Sequence, residues 1–466
     1  MIWKKNFLTP PPHKEPLPEE QIDGAYKRLR LQVFSGIFIG YVAYYLVRKN
    51  FSLAMPYLLT LGFDKSELGF AFAFNATAYG LSKFIMGGIS DRSDARKFLA
   101  LGLVLASLAV VLAGTAFGMS GIVWMALFQF LVGWFGGMGW PPCGRVMTHW
   151  FSVKERGTKM SFWNVAHNVG GGLIGIITAW GVSFCMSLGL SAGLSHQLGI
   201  FWLPAAIAIL IALIAYLLIR DTPQSCGLSS IEEYKNDYPA NYSIQSEVVL
   251  KTKDIFFKYV FPNRMLWIVA IANAFVYFVR YGVLDWAPTY LMEAKHYNIK
   301  EMGLAYSLYE WAAIPGTILC GWISDALFKG KRAMTTIIFM TLVMAAIFVY
   351  WTNADNKLID SIALVAIGFL IYGPVMLIGV HALDLSPKNA AGTSAGLTGF
   401  FGYFFGTSIL ANILMGRVVH SFGWDSGFEL LIAACLITII LMGLTHRQEQ
   451  RARQAKLQET SQLPNS

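Results

Sequence analysis

The chain has 466 residues, of which 55% are hydrophobic and only 14% charged, with a mean hydropathy of +0.51. Soluble domains carry about 25% charged residues, so a water-soluble enzyme or binding module is excluded. The net charge of +9 would suit nucleic-acid binding, but in so apolar a chain it fits Lys- and Arg-rich loops on one side of a membrane.

Residues 1–30 are polar, Pro-rich and basic, with no cleavable signal peptide, so the first apolar span would itself direct insertion. Apolar stretches of about 20 residues, each enough to cross a bilayer, then recur. They predict membrane helices at 31–57, 68–90, 98–118, 121–148, 158–183, 197–219, 263–290, 302–325, 334–352, 359–382, 390–415 and 427–445. An isolated segment in lipid must satisfy its own backbone hydrogen bonds, so all twelve are predicted as helices and the fold class as an all-α membrane protein.

One set of connections holds Arg92, Arg96 and Lys97, then Lys154 and Arg156, the stretch 220–264, Lys329, Lys331, Arg332 and Lys388. The opposite set holds little beyond Lys65, Lys295, Lys300, Lys357 and Arg417. The chain ends add Lys27, Arg28 and Arg30, and Arg447, Arg451 and Arg453, so both termini are expected in the cytoplasm. The long polar loop 220–262 lacks apolar periodicity and reads as a cytoplasmic tether. It divides the chain into a terminal segment 1–30, a six-helix half 31–219, a second half 263–445 and a tail 446–466.

The halves repeat each other. Tyr45-Leu46-Val47-Arg48 returns as Tyr277-Phe278-Val279-Arg280, and Gly87-Gly88-Ile89-Ser90-Asp91 as Gly321-Trp322-Ile323-Ser324-Asp325. Pro141 answers Pro374, and Gly157-Thr158 answers Gly392-Thr393, all at offsets of 232 to 235. Two six-helix halves related by an axis along the membrane normal form the major facilitator architecture, with the substrate near the midplane between them.

Arg48 lies about 17 residues into the first helix, roughly 26 Å of rise, and Arg280 at a similar depth in the seventh. A charge so deep faces a watery cavity or a partner; the plain alternative is an arginine snorkelling outward or paired with a carboxylate. Its repetition in both halves favours two guanidiniums meeting across the interface, which repel unless an anion lies between. Arginine's planar fork suits phosphate, and a dianion suits two forks best. Tyr45 and Tyr277 stand three residues before each arginine, on the same helix face. They would donate to the anion or simply fill the interface.

His167, in Trp163-Asn164-Val165-Ala166-His167-Asn168, lies near mid-bilayer, as a donor to phosphate or as a neutral histidine bonded locally. Gly170 to Gly172 and Gly175, and Gly392, Gly396, Gly402 and Gly406 in helix eleven, would let helices approach closely. Lys49, Lys83, Asp285 and Glu310 are also intramembrane, as pairs that open and re-form or as static neutralising pairs. The turn Asp91 to Lys97 would clamp helix ends or serve only as a topogenic loop. Cys143, Cys185, Cys226, Cys320 and Cys435 are scattered, with no metal-ligand spacing. No Walker-type nucleotide-binding loop is present, and neither metal nor cofactor is expected.

The stretches GYVAYYLVRKNFSLAMPYL at 40–58, YGLSKFIMGGISDRSDAR at 79–96 and KERGTKMSFWNVAHNVGGG at 154–172 carry a resemblance. The chain resembles the organophosphate:phosphate antiporters of the major facilitator superfamily over nearly its whole length. GMGWPPCGR at 137–145, RDTPQSCGL at 220–228, IEEYKNDYP at 231–239 and IYGPVMLIG at 371–379 narrow it to members carrying glycerol 3-phosphate against inorganic phosphate.

The resemblance implies that Arg48 and Arg280 hold the phosphate with His167 assisting. Lys83 would pass the anion, and Tyr41, Tyr45, Tyr79, Trp140, Tyr277, Tyr372 and Tyr403 would line the cavity, with Asn164 beside His167. Lys49, Asp285 and Glu310 would be switching ion pairs, and Asp91, Arg92, Arg96 and Asp325 a cytoplasmic gate. It further implies a monomer in the bacterial inner membrane, with no enzymatic activity. A hexose-phosphate antiporter and a phosphate-ester sensor are the nearest alternatives. An intramembrane phosphatase is the enzyme alternative, without a carboxylate-metal cluster or paired nucleophile to support it.

Overall fold

The computed structural model describes residues 7–90, 93–115, 121–236, 257, 260–328, 331–354, 356–385, 394 and 396–461. Among them every regular element is a helix. Ten helical stretches are long and apolar enough to cross a membrane. The other two expected spans, 68–90 and 302–325, coincide with helices Lys65–Ser90 and Ile299–Trp322. Large apolar side chains such as Phe162, Trp180, Leu210 and Leu217 lie exposed on these helices. Water would not tolerate so much apolar surface on a monomer, whereas lipid requires it.

Three of the predicted helices are interrupted. The first becomes α1 (Glu19–Leu46) and α2 (Asn50–Thr60). Asn50 Nδ2 donates to the Leu46 carbonyl at 3.1 Å, replacing the backbone bond that a continuous helix would make there. Helix α3 (Lys65–Ser90) and α4 (Ala95–Thr115) follow. The fourth span divides into α5 (Ile122–Gly136) and α6 (Trp140–Trp150). Pro141 and Pro142 cannot extend a preceding helix but suit the first turn of a new one. The seventh span parts into α11 (Arg264–Leu284) and α12 (Ala287–Glu293). Pro288 has no N–H to return to residue 284, so the ladder fails there.

Helix α7 (Val153–Ser187) opens on a capping box of Ser152 and Glu155. The sixth span is α8 (Ala192–His196), a π turn at Gln197–Trp202 and α9 (Leu203–Leu218). Beyond α10 (Ile231–Lys235), α11 and α12 come α13 (Ile299–Trp322), α14 (Arg332–Thr352) and α15 (Lys357–Asp384). A π-helical stretch at Phe401–Leu414 leads into α16 (Met415–Phe422), and α17 (Trp424–Ser461) runs well past the predicted end at 445.

The chain divides into two compact units, Met1–Val248 with Ala287–Ser307, and Val249–Trp286 with Leu308–Ser466. In the first, α1 packs on α7 and α9, and α3 on α5. The short stretch 287–307 is held there by a Lys65–Glu293 ion pair of 2.6 Å and by Ser307 Oγ donating to the Gly172 carbonyl at 2.5 Å. In the second, α14 packs on α15 and α17, while α11 packs on the π stretch and α17.

The loop expected to be a plain tether starts as packed structure. Arg145 grips Asp221 through two hydrogen bonds of 3.0 Å, and Trp150 Nε1 donates to the Arg220 carbonyl at 3.0 Å. The Pro-rich N-terminal segment lies against it, with Lys14 N donating to Gln224 O at 3.0 Å and Leu17 N to Gly227 O at 2.8 Å. Tyr26 stacks on Tyr234 with ring centroids 3.9 Å apart. These contacts need only polar turns, caps and aromatic rings, so apolar periodicity does not reveal them.

Candidate functional site

In the first unit the predicted residues meet around Arg48, which stands in the interruption between α1 and α2. Its guanidinium carbon lies 3.7 Å from the centroid of the Tyr79 ring and 5.2 Å from that of Tyr45, and Nη1 donates to the Tyr45 hydroxyl at 3.0 Å. The Tyr45 ring is 5.6 Å from His167 and 5.6 Å from Tyr41, and Tyr41 packs on Trp163 at 4.5 Å. His167 Nδ1 contacts the carbonyl of Asn164 one turn back. A carbonyl only accepts, so Nδ1 carries the proton and Nε2 is the remaining nitrogen. Lys83, one turn after Tyr79 on α3, holds its ammonium 5.3 Å from the Trp140 ring at the start of α6.

In the second unit Arg280 is 5% exposed. Its guanidinium carbon lies 4.1 Å from the Tyr372 ring, 4.7 Å from Tyr281 and 6.0 Å from Tyr277. Tyr403 adjoins Tyr277 at 5.2 Å and Tyr281 at 6.3 Å. Tyr372 donates to Glu310 Oε2 at 2.7 Å, and Tyr309 donates to the Arg280 carbonyl at 3.3 Å. Arg280 Nε has no hydrogen-bond partner among the described residues. Three aromatic faces therefore hold a buried cation whose Nε has no partner among the described residues.

The repeat extends into the packing. A methyl added at Gly170 would meet the Val42 carbonyl and Tyr45 Cβ, and one at Gly406 the Ala274 carbonyl and Tyr277 Cβ. His167 and Tyr403 stand three residues before these glycines, so the two halves place an imidazole and a phenol in corresponding positions. Tyr281 and Tyr309 are additions to the expected set. Tyr281 adjoins Arg280 in sequence, yet four residues after Tyr277 it shares that residue's face.

Residues 37–411 match the family model of the Major Facilitator Superfamily. The chain belongs to the Major Facilitator Superfamily. It is 55% identical to the glycerol-3-phosphate transporter of Bacillus subtilis (strain 168) over 96% of this chain and 99% of that protein. It is 48% identical to the glycerol-3-phosphate transporter of Haemophilus influenzae, over 97% and 98% of the two chains. Among solved structures, a bacterial homologue of the human lysosomal transporter Spinster, inward-facing and unoccupied, superposes with a TM-score of 0.68 at 16% identity, covering 90% of this chain and 96% of that one. That likeness bears on the fold alone.

As a major facilitator the protein is a multi-pass membrane protein, and the other predicted residues take their places on its helices. Lys49 is buried with its ammonium 5.1 Å from the Phe72 ring, and Asp285 is buried at the end of α11. Asn164 is exposed on α7. Of the expected gate, Asp91 and Arg92 lie outside the described residues, and Asp325 falls in the π turn Ile323–Leu327 with its side chain outside the description. Arg96 lies over the Tyr216 ring at 4.6 Å and 4.0 Å from Asp94.

Proposed function

We propose that this protein takes up glycerol 3-phosphate in exchange for inorganic phosphate across the bacterial inner membrane, by alternating access and without covalent chemistry. Two close relatives named for glycerol 3-phosphate support the substrate. The observation that carries the anion chemistry is Arg280, a buried guanidinium held by tyrosine faces, its Nε without a hydrogen-bond partner among the described residues. The forked donors of arginine match a phosphate face.

In this reading Arg48 and Arg280, one from each repeat, share one dianion. Binding neutralises their mutual repulsion and lets the halves rock, whereas an empty site resists the change. Internal phosphate leaves and the organic phosphate rides back, driven by the outward phosphate gradient. His167, donating from Nε2 as the imidazolium, and Lys83 supply further positive groups. Lys49, Asp285 and Glu310 exchange ion-pair partners during the rocking. Asp91, Arg92, Arg96 and Asp325 gate the cytoplasmic side. The protein crosses the membrane twelve times as a monomer with both termini in the cytoplasm.

The test is uptake of labelled glycerol 3-phosphate into vesicles carrying the purified protein. Vesicles loaded with phosphate should fill rapidly and unloaded vesicles slowly. Equal uptake by both would exclude obligate exchange, and preference for a hexose phosphate in competition would reassign the substrate.

A further inference from the structure

Helices α1 and α7 pack on each other, and their side chains meet in ordered rungs. Arg30 pairs with Glu155, and Lys159 holds its ammonium 6.0 Å from the Phe34 ring. Tyr41 then packs on Trp163 at 4.5 Å, and Tyr45 on His167 at 5.6 Å. Phe34, Tyr41 and Tyr45 fall on one face of α1, while Lys159, Trp163 and His167 follow one another at four-residue steps on α7. Past the last rung, Arg48 Nη1 donates to the Tyr45 hydroxyl at 3.0 Å. The ladder therefore leads from the N-terminal end of α7 to the cation of the candidate site.

The two cations on its outer rungs differ. Arg30 is answered by Glu155, which also accepts from Ser152 N at 3.2 Å. Lys159 is half-buried, and among the described residues it shows a ring contact but no carboxylate partner. It is also no part of the repeat, since the stretch 390–415 of the second half carries no charge.

We propose that Lys159 is an outer anion subsite, where phosphate or a phosphate monoester pauses between the cytoplasm and Arg48. The inference rests on the phosphate-exchange reading and deepens it. Lys159 precedes His167 by eight residues, about 12 Å of helix rise. The screening length at physiological salt is about 8 Å, so the ammonium adds little to the hold on an anion already seated beside His167. It acts on the anion in transit. A lysine suits that task, because a compact, hydrated point charge attracts phosphate without the forked grip of a guanidinium. Arg30, one rung further out, does not compete for the anion while Glu155 neutralises it.

The experiment separates rate from affinity on the purified full-length protein. Phosphate association is followed by stopped-flow tryptophan fluorescence, and equilibrium affinity by calorimetry. At about 0.01 M salt, where charges act over about 30 Å, Lys159→Met should slow association roughly 3- to 10-fold, one charge's part of the 10- to 1000-fold that a charged cleft supplies. Dissociation should slow in proportion, leaving Kd within about twofold. At about 1 M salt, where the screening length is about 3 Å, the deficit should shrink below about twofold. Lys159→Arg should restore the association rate, which a loss of packing or folding in the methionine variant would not predict. An association rate unmoved at low salt would overturn the proposal. So would a deficit that persists at high salt, or a weaker Kd with association unchanged. A natural protein that binds no phosphate would overturn the exchange reading and this proposal with it, whereas normal binding with an unmoved rate overturns this proposal alone.

Discussion

The guanidinium carbon of Arg48 lies 3.7 Å from the centre of the Tyr79 ring. Arg48 has left the helix at this point, so the ring steadies a cation that the backbone positions less firmly than it does Arg280. A cation–π contact away from water is worth about 1–2 kcal/mol. Tyr79→Phe keeps the face and should leave phosphate affinity nearly unchanged, while Tyr79→Leu should weaken it roughly 5- to 30-fold. Titration calorimetry of phosphate into both variants checks the difference.

A methyl at Gly170 or Gly406 would meet a backbone carbonyl of the helix that leads to or carries the arginine of its own half. A larger side chain must push those helices apart and displace Tyr45 or Tyr277. Gly170→Leu and Gly406→Leu should each abolish exchange and lower the melting temperature by several degrees, as overpacking costs about 1–3 kcal/mol. Gly396→Ala meets nothing within 4 Å and should behave as the natural protein. Transport and thermal unfolding of the three variants make the comparison.

Arg145 and Asp221 form a two-point ion pair at the start of the central loop, with Asp221 also accepting from Ala95 N at 2.9 Å. Asp221 is 2% exposed. Removing one partner of a buried pair costs about 3–5 kcal/mol because the other charge is stranded. Arg145→Ala should therefore lower the melting temperature markedly, and Arg145→Lys should recover only part of it, since an ammonium cannot fork. Differential scanning fluorimetry in detergent reads both.

Burial, and then the Asp221 carboxylate, push the Asp94 carboxyl up from its ordinary 3.8, against Arg96 and Lys97. The folded state then holds the Asp94 proton to higher pH than the unfolded chain does. This contribution to stability is complete below 3.8 and is lost as pH rises through the elevated folded value. Asp94→Asn, which cannot ionise, should gain stability relative to the natural protein as pH climbs across that window. Melting curves of the pair at a series of pH values test the sign, and a gap that does not change with pH would contradict it.

Arg48 and Arg280 were legible in the sequence because an intramembrane charge is rare and here occurs twice in one repeated motif. The break beside Arg48 was not, since it depends on the Asn50 side chain taking the Leu46 carbonyl. The break before Trp140 leaves a plainer signal in Gly136-Gly137-Met138-Gly139 and the two prolines that follow. The correspondence of His167 with Tyr403 stayed hidden because the residue types differ and the offset reaches 236. Glu310 was visible as a buried charge, but its hydrogen bond joins α13 to α15, and no spacing along the chain encodes that meeting.

The most direct measurement is phosphate affinity, by calorimetry near pH 7, of the natural protein beside Arg48→Lys and Arg280→Lys. Each substitution keeps the charge and removes the fork, so each should cost about 2–3 kcal/mol, a loss of roughly 30- to 150-fold. Undiminished affinity in either variant would contradict a dianion shared by two guanidiniums.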